Sequence, residues 1–259
     1  MPVTYVYKNF FQRMQYIDLN CDMGEGCGND AAIMPFISSA NIACGYHAGD
    51  EATIQQTIKC ALQHNVAIGA HPGFDDKANF GRTEMVLGYN EVYSLVLQQI
   101  QIIQQYTLLY NTRLHHVKPH GALYNMAAKN IEMAAAIACA VKQAGDSLVL
   151  YGLNNSLLIT EAQKLGLQTA NEVFADRRYN NDGSLVSRQS KSALIEDDKE
   201  AISQVIKMIK KGHVVSVDGL PVPVHVQTIC LHGDGLHAVA FVQKIHAALA
   251  ANNIAVQNM

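Results

Sequence analysis

The chain stops its helices in one recurring way. Helical stretches end at Asn65, Gly166 and Asn252 or Asn253. Each end runs directly into an alternating apolar segment: Val66-Ala67-Ile68, Leu167-Gln168-Thr169 and Ile254-Ala255-Val256. Asparagine and glycine tolerate the left-handed backbone that terminates a helix. The repeat is therefore a helix-to-strand junction, and right-handed βα units of this kind build a doubly wound sheet or a closed barrel. About seven strands are expected, each ending in a polar corner. In a barrel such corners converge on one mouth, whereas an open sheet brings together only one or two. The expected fold is α/β, a variant (β/α) barrel with about seven parallel strands.

The predicted strands are Gln15–Asn20, Ala40–Cys44, Val66–Ala70, a short run from Leu114 to Val117, Ser147–Tyr151, Gln168–Val173 and Thr228–Leu231. Asp30 is placed to cap a helix from Ala31 to about Ser38, Asn90 a long helix, and Asp197 or Asp198 a later one. An alanine-rich helix runs from Ala122 to Ala144 with a break near Asn130. Val214–Val217 and Val222–Val226 flank Asp218-Gly219 as a hairpin. Residues 14–259 read as one barrel domain, and residues 1–13 as an N-terminal extension to which no role is given.

With 259 residues, 49% of them hydrophobic, the chain is long enough for one such barrel. A net charge of −3 gives no reason to expect a nucleic acid or an anionic membrane as partner. No apolar run approaches the ~20 residues of a membrane-spanning helix. The six cysteines form no Cys-x-x-Cys pair, and the N-terminus lacks the apolar core of a secretory signal. The chain therefore reads as cytoplasmic, with reduced thiols.

The densest corner is His115-His116-Val117-Lys118-Pro119-His120-Gly121-Ala122-Leu123-Tyr124-Asn125. Pro119 keeps Lys118 extended, Gly121 turns the chain and Ala122 begins a helix. Lys118 is expected to have a buried stem and an exposed ammonium. The other candidate groups are Asn20, Asp22 and Glu25; Asn41, His47 and Asp50; His71 with Arg82; and Asp176, Arg177, Arg188, His232 and Asp234. Lys118, His120, Tyr124 and Asn125 complete the set. Plainer readings stand beside these. Asp50 precedes a helix and suits an N-cap. Asn20 and Asn41 can anchor backbone, Arg82 can pair with Asp75 or Asp76, and Cys44 and Cys230 suit the core.

Two chemistries fit such a mouth. Histidines and carboxylates at neighbouring strand ends can hold a divalent metal, though no local ligand motif such as His-Glu-x-x-His is present. Alternatively they do acid–base work while Lys118, Arg82, Arg177 and Arg188 hold anions. Four cations suit a phosphate-bearing substrate or intermediate. Yet the chain has no Gly-x-x-x-x-Gly-Lys-[Ser/Thr] loop, and Gly24-Glu25-Gly26-Cys27-Gly28 does not satisfy the dinucleotide pattern.

Several of these stretches together resemble one family. They are Asp18-Leu19-Asn20-Cys21-Asp22-Met23-Gly24-Glu25, the run from Ala40 to Asp50, Gly69-Ala70-His71-Pro72-Gly73, Val117 to Asn125, Phe174-Ala175-Asp176-Arg177, and Cys230-Leu231-His232-Gly233-Asp234. They look like the LamB/YcsF family, also known as the A subunit of 5-oxoprolinase, in order from about Met14 to the end. Two features depart from the family: Thr83 follows Arg82 where a second arginine is usual, and the extension before Met14 is atypical.

The resemblance implies a barrel like those of glycoside hydrolases and polysaccharide deacetylases. It also implies ATP-dependent opening of 5-oxo-L-proline to L-glutamate, with magnesium, in a complex with two other subunits. Within that reading Asp22, His47, His71, Lys118 and His120 are the catalytic candidates. Substrate binding falls to Asn20, Glu25, Asn41, Arg82, Tyr124, Asn125, Asp176, Arg177, Arg188, His232 and Asp234. Two rivals stand: a metal-dependent deacetylase or carbohydrate hydrolase on the same barrel, and a non-catalytic subunit that only binds ligand.

Overall fold

The structure, a computed structural model, describes residues 14–233, 235 and 237–259. The extension at 1–13 and the candidate Asp234 lie outside the described residues. In chain order the elements are β1 (Gln15–Met23), α1 (Asp30–Ile33), β2 (Ser39–Ala43), α2 (Glu51–Gln63), β3 (Ala67–His71), α3 (Tyr89–Leu109), β4 (His116–Val117), α4 (Gly121–Ala127) and α5 (Ile131–Ala144). They continue as β5 (Val149–Leu153), α6 (Leu157–Lys164), β6 (Gln168–Phe174), α7 (Asp198–Lys211), β7 (His213–Val215), β8 (Pro221–Pro223), β9 (Thr228–Leu231), α8 (Ala238–Ala251) and β10 (Ile254–Val256).

Seven strands close a parallel barrel in the order β1-β2-β3-β4-β5-β6-β9, with β9 returning to β1. The helix stops behave as their residue types require: Asn65, Gly166 and Asn253 have φ of 56°, 71° and 59°. One edge of β1 is shared in tandem. Gln15–Ile17 pair with Ile254–Val256 of β10, and Asp18–Cys21 pair with Thr228–Leu231 of β9. The predicted hairpin is present, with β7 antiparallel to β8 beyond the barrel wall.

Local sequence explains where the elements differ from expectation. β1 runs on to Met23, so Cys21, Asp22 and Met23 belong to the strand and not to the glycine-rich corner. The helix after Asp30 ends at Ile33, and Pro35 sits in a 3-10 turn, Met34–Phe36, because proline removes an amide the α-helical ladder needs. Asp30 does not cap that helix. Its carboxylate accepts the Gly24 amide at 2.7 Å and the Thr57 hydroxyl at 3.2 Å, pinning the first corner to α2. Asn90 lies inside α3, whose N-cap is Gly88, with the Glu91 carboxylate accepting the Gly88 amide at 2.8 Å. Asn130 caps α5 through the Met133 amide, and Asp197 caps α7. Asp50 caps α2, accepting from the Thr53 amide and hydroxyl.

Strand alternation divides the core in two. Ile17, Leu19, Cys21 and Met23 of β1 join Ala40, Ile42, Ile68, Ala70, Val117, Leu150, Val173, Ile229 and Leu231 in the layer beneath the helices. Ile54, Ile58 and Ala61 of α2, at helical spacing, close that layer on one side. Each fully buried Ile or Leu there contributes roughly 1.5–3 kcal/mol. The intervening strand residues, Asp18, Asn20, Ser39, Asn41, His116, Glu172 and Thr228, are joined by hydrogen bonds across the barrel interior. Barrels of this kind are usually filled by branched apolar side chains. This one is filled by polar ones, and every level leads toward the mouth.

Candidate active site

The interior is built in levels. Lowest, Asp18 accepts hydrogen bonds from the Ser38, Ser39 and Thr228 hydroxyls at 2.6, 2.7 and 2.5 Å. Burial raises its pKa while those hydroxyls pull it back. One level up, Asn20 donates to Glu172 Oε1 at 2.9 Å and Thr228 Oγ1 at 2.7 Å, and its oxygen accepts from Asn41. Asn41 also donates to Asp22 Oδ1 at 2.8 Å and pairs through its oxygen with His116 Nε2. His116 lies flat on Tyr151, and a Cβ on Gly69 would fall 2.1 Å from its Nε2. Gly69 is what lets the ring occupy the barrel axis.

Lys118 sits on top of this stack. Its ammonium lies 2.9 Å from both Asp22 Oδ1 and Glu172 Oε1, 3.0 Å from Asn20 Oδ1 and 3.0 Å from Cys230 Sγ. The residue is 2% exposed, so the expectation of an exposed ammonium is corrected. An ammonium has three hydrogens, and four acceptors already surround this one. Burial opposes its charge, but Asp22, Cys230 and Glu172 outweigh that and raise its pKa well above normal. Burial likewise opposes ionisation of Asp22, yet His71 and Lys118 hold it well below the usual carboxylate range. Cys230 is in the apolar strand as expected, but its sulfur also faces Lys118. Its thiol is pushed well up by burial.

Beside Asp22 lies a cluster of three imidazoles and a carboxylate. His71 Nε2 is 3.3 Å from Asp22 Oδ2 and 2.9 Å from His120 Nδ1. Glu25 Oε1 lies 3.3 Å from His47 Nε2, 3.3 Å from His120 Nδ1 and 3.9 Å from His71 Nε2. His47 stacks on His120, with centroids 3.9 Å apart. Burial, aided by His71, lowers His47 to about 3 and His120 well below normal. One ligand atom from each of Glu25, His47, His71 and His120 lies within 4.8 Å of the others, so this group could hold a metal ion.

The facing wall comes from the ends of β6 and β9 and the loop after β6. Asp176 accepts from His232 Nδ1 at 2.9 Å, which leaves His232 Nε2 to accept from Arg188 at 2.7 Å. Burial would raise Asp176, but His232 wins and lowers it. Arg177 donates to the Val186 carbonyl at 2.6 Å, while its buried Nε has no hydrogen-bond partner among the described residues. Burial, with the Arg188 charge nearby, brings Arg177 down to about 10.

A cavity of about 1220 Å³ opens over these groups. Asp22, Glu25, His71, Lys118 and His120 line it, as do Arg177, Arg188 and His232. Arg82, Tyr124 and Asn125 also line it. Asn20 and Asn41 lie below it as buried supports for Asp22 and Lys118. His47 stands behind His120, and Asp176 behind His232. Arg82 lies over the Phe80 ring, and the Asn125 amide donates to the Gly121 carbonyl.

Three buried groups were not singled out from sequence. Glu172 holds Lys118 and also accepts the Tyr124 hydroxyl at 2.6 Å. His116 joins the interior through Asn41. Gln99, on the apolar stripe of α3, clamps the corner after β3 by bonding both the amide and the carbonyl of Gly73. A carboxylate inside an apolar strand, and an amide inside an apolar helical stripe, are the signals that mark them.

The model of the LamB/YcsF family matches residues 17–259. The A subunit of 5-oxoprolinase from Bacillus cereus (strain 03BB102) is 52% identical over 249 residues, covering 94% of this chain and 98% of that protein. Its counterpart from Staphylococcus carnosus (strain TM300), of the same name, is 48% identical over 248 residues, with the same coverage. Among solved structures, the lactam utilization protein from Thermus thermophilus superposes with a TM-score of 0.89 at 39% identity, over 95% of this chain and 100% of that one. A mutant of the peptidoglycan deacetylase PdaC from Bacillus subtilis shares the fold at 11% identity and a TM-score of 0.50, over 95% and 89% of the two chains. Agreement at about half identity along nearly its whole length shows that the chain belongs to the LamB/YcsF family.

Proposed function

We propose that this chain is one component of an ATP-dependent 5-oxoprolinase that opens the lactam of 5-oxo-L-proline to L-glutamate. Its relatives are named as the A subunit of 5-oxoprolinase. The observation that carries the reading is the cavity itself, lined by Arg177 and Arg188 together with Lys118, Asp22, Glu25, His71 and His120. Two arginines facing the same cavity as carboxylates and imidazoles suit a small anion that gains negative charge as it reacts.

A five-membered lactam is a poor electrophile. Phosphoryl transfer from ATP to the lactam oxygen turns it into a phosphorylated imidate. Water adds at that carbon, the ring C–N bond breaks with a proton passing to nitrogen, and a second water releases phosphate from the acyl phosphate. In this reading Arg177 and Arg188 hold the substrate carboxylate or the phosphoryl group. Lys118 supplies fixed positive charge under the reacting carbon, in a site where little water weakens it. Asp22, oriented by Asn41 and Lys118, and the Glu25–His71–His120 group receive protons from attacking water. His47 and Asp176 position His120 and His232, and Arg82, Tyr124 and Asn125 shape the rim.

ATP with magnesium is the co-substrate, and because this chain lacks a phosphate-cradling loop its nucleotide site belongs to one of two partner subunits. Residues 14–259 act as one unit in the cytoplasm. The test is glutamate and phosphate release from 5-oxoproline, ATP and magnesium, with the chain alone and with both candidate subunits. Turnover only in the mixture is expected; full ATP-dependent turnover by the lone chain would overturn the need for partners.

The Glu25 and histidine cluster favours a second reading, hydrolysis of an amide or ester without nucleotide. Substrate turnover by the lone chain in the absence of ATP would select it.

A further inference from the structure

The hydrogens of the histidine cluster can be placed by exclusion. His71 Nδ1 lies 2.6 Å from the Lys118 carbonyl, and His120 Nε2 lies 2.9 Å from the Phe80 carbonyl. A carbonyl only accepts, so both of these nitrogens carry hydrogen. In a neutral imidazole the other nitrogen is then a bare lone pair. Those two bare nitrogens, His71 Nε2 and His120 Nδ1, face each other at 2.9 Å. The Glu25 Oε1 atom completes the triangle at 3.3 and 3.9 Å. Three lone-pair atoms thus converge in a buried place with no hydrogen to share between the rings. Such an arrangement is repulsive unless a cation lies among these atoms, either a metal ion or a proton on His71 Nε2, which also faces Asp22 Oδ2 at 3.3 Å.

We propose that Glu25, His71 and His120 form a binding site for one first-row divalent metal ion of the zinc class, with His47 orienting Glu25. The spacing fits. A tetrahedral ion with bonds of about 2.0–2.2 Å holds its ligand atoms roughly 3.3–3.6 Å apart. The three separations here, 2.9, 3.3 and 3.9 Å, bracket that range. Two imidazoles and one carboxylate make a three-ligand set that leaves a coordination position open. All three residues line the cavity, whereas His47 does not. Magnesium and calcium prefer all-oxygen sites, so the donor set argues against them.

His47 has a definite part in this arrangement. Its Nε2 lies 3.3 Å from Glu25 Oε1, and its buried Nδ1 has no partner among the described residues. A buried bare N–H is rarer than an under-used acceptor, which places the hydrogen on Nε2, donating to Glu25. A ligating carboxylate is ordinarily held by such a second donor. The backbone is also fitted to the cluster. A Cβ on Gly81 would come within 2.8 Å of His47 Cβ and 3.0 Å of His120 Cδ2, so only glycine lets the two rings stack there.

The alternative cation is a proton, with one ring as imidazolium. Burial and the neighbouring imidazoles oppose that on His120. On His71 the proton would be shared with Asp22 Oδ2, 3.3 Å away, and the ¹⁵N spectrum with zinc decides between proton and metal. An occupied site would take the lone pairs of His71 and His120 out of acid–base work. Asp22 would remain as the adjoining carboxylate, held by Lys118 and Asn41.

The inference rests on side-chain geometry and stands whether or not the lactam reading holds. The full chain, stripped with chelator, is titrated with Co²⁺ and then Zn²⁺ by calorimetry, and cobalt binding is followed by visible absorption. One equivalent per chain is expected, with a tetrahedral cobalt spectrum and displacement by zinc. Glu25→Gln and His120→Asn should weaken binding at least tenfold. Zinc should also raise the melting temperature of the wild-type chain, a readout that needs no variant to fold. Absence of stoichiometric binding by the wild type overturns the site. So does unchanged binding in both folded variants, or a ¹⁵N spectrum showing hydrogen on His71 Nε2 in the presence of zinc.

Discussion

Lys118 and Glu172 meet at 2.9 Å inside the barrel, between the end of β4 and the body of β6, strands that do not adjoin each other. Glu172 is fully buried, and it shares the ammonium with Asp22. Glu172→Gln keeps the shape and can still accept from Tyr124, but it removes one of two charges that offset a buried cation. Breaking a buried pair by deleting one partner costs about 3–5 kcal/mol, and the remaining Asp22 should hold the loss near the lower figure. Thermal or denaturant unfolding checks it. An unchanged melting temperature would mean that Glu172 contributes little to holding Lys118.

Lys118→Met is expected to do two things. In the assembled complex turnover should fall about a hundredfold, the loss of roughly 3 kcal/mol of transition-state stabilisation. The chain should also become less stable, because Asp22 and Glu172 are left facing each other without their counter-ion. Single-turnover kinetics on the folded variant separate the two effects. Normal rates there would remove Lys118 from the chemistry.

Gly121 has φ of 54°, and a Cβ on it would fall 2.6 Å from the Gly81 carbonyl oxygen. That oxygen accepts the Ala122 amide at 3.0 Å. Gly121→Ala should therefore destabilise by about 2 kcal/mol or more, from backbone strain and lost close approach together. Because Gly121 follows His120 directly, ligand binding should weaken along with stability. A melting temperature within a degree of wild type would show that the corner relaxes freely.

Asp176 governs part of the acid limb. Its pKa in the folded chain is depressed below the ordinary value of about 3.9. The stability it contributes is therefore complete above that value and lost as pH falls through the lower folded one. Asp176→Asn should lower the melting temperature near neutrality and flatten its decline below about pH 4. Parallel curves for the two proteins would show that the Asp176–His232 pair does not contribute to acid stability.

Local chemistry carried much of the architecture into the sequence. Asn65, Gly166 and Asn253 stop helices by their own backbone preference, which needs no distant partner. The β9 strand, Thr228–Leu231, was legible to the residue because its flanks are polar. The end of β1 was not. Asp22 looked like part of a turn because polar residues on an apolar strand read as its end, whereas Asp18, Asn20 and Asp22 alternate into a polar interior. Glu172 was hidden for the same reason: its value depends on Lys118, and nothing near it in sequence announces that. The mouth residues were legible as types at corners. Their division into cavity-facing groups and supports, such as His71 against His47, depends on ring stacking that only the fold supplies.

The tandem pairing along β1 sets an order on assembly. Asn20 and Thr228, bonded side chain to side chain, lie 208 residues apart, so the seam between first and last barrel strands is the least local contact in the ring. Contacts of that separation form late, because a long loop must be closed before they return any energy. Lys118 reaches across the lumen to both sides of this seam, to Asp22 on β1 and to the sulfur of Cys230 on β9. Until the seam shuts, the ammonium has only part of its shell, and a chain emerging from synthesis carries an unfinished cavity until Thr228–Leu231 has been made. The charge network at the mouth is thus also the latch that reports a completed ring.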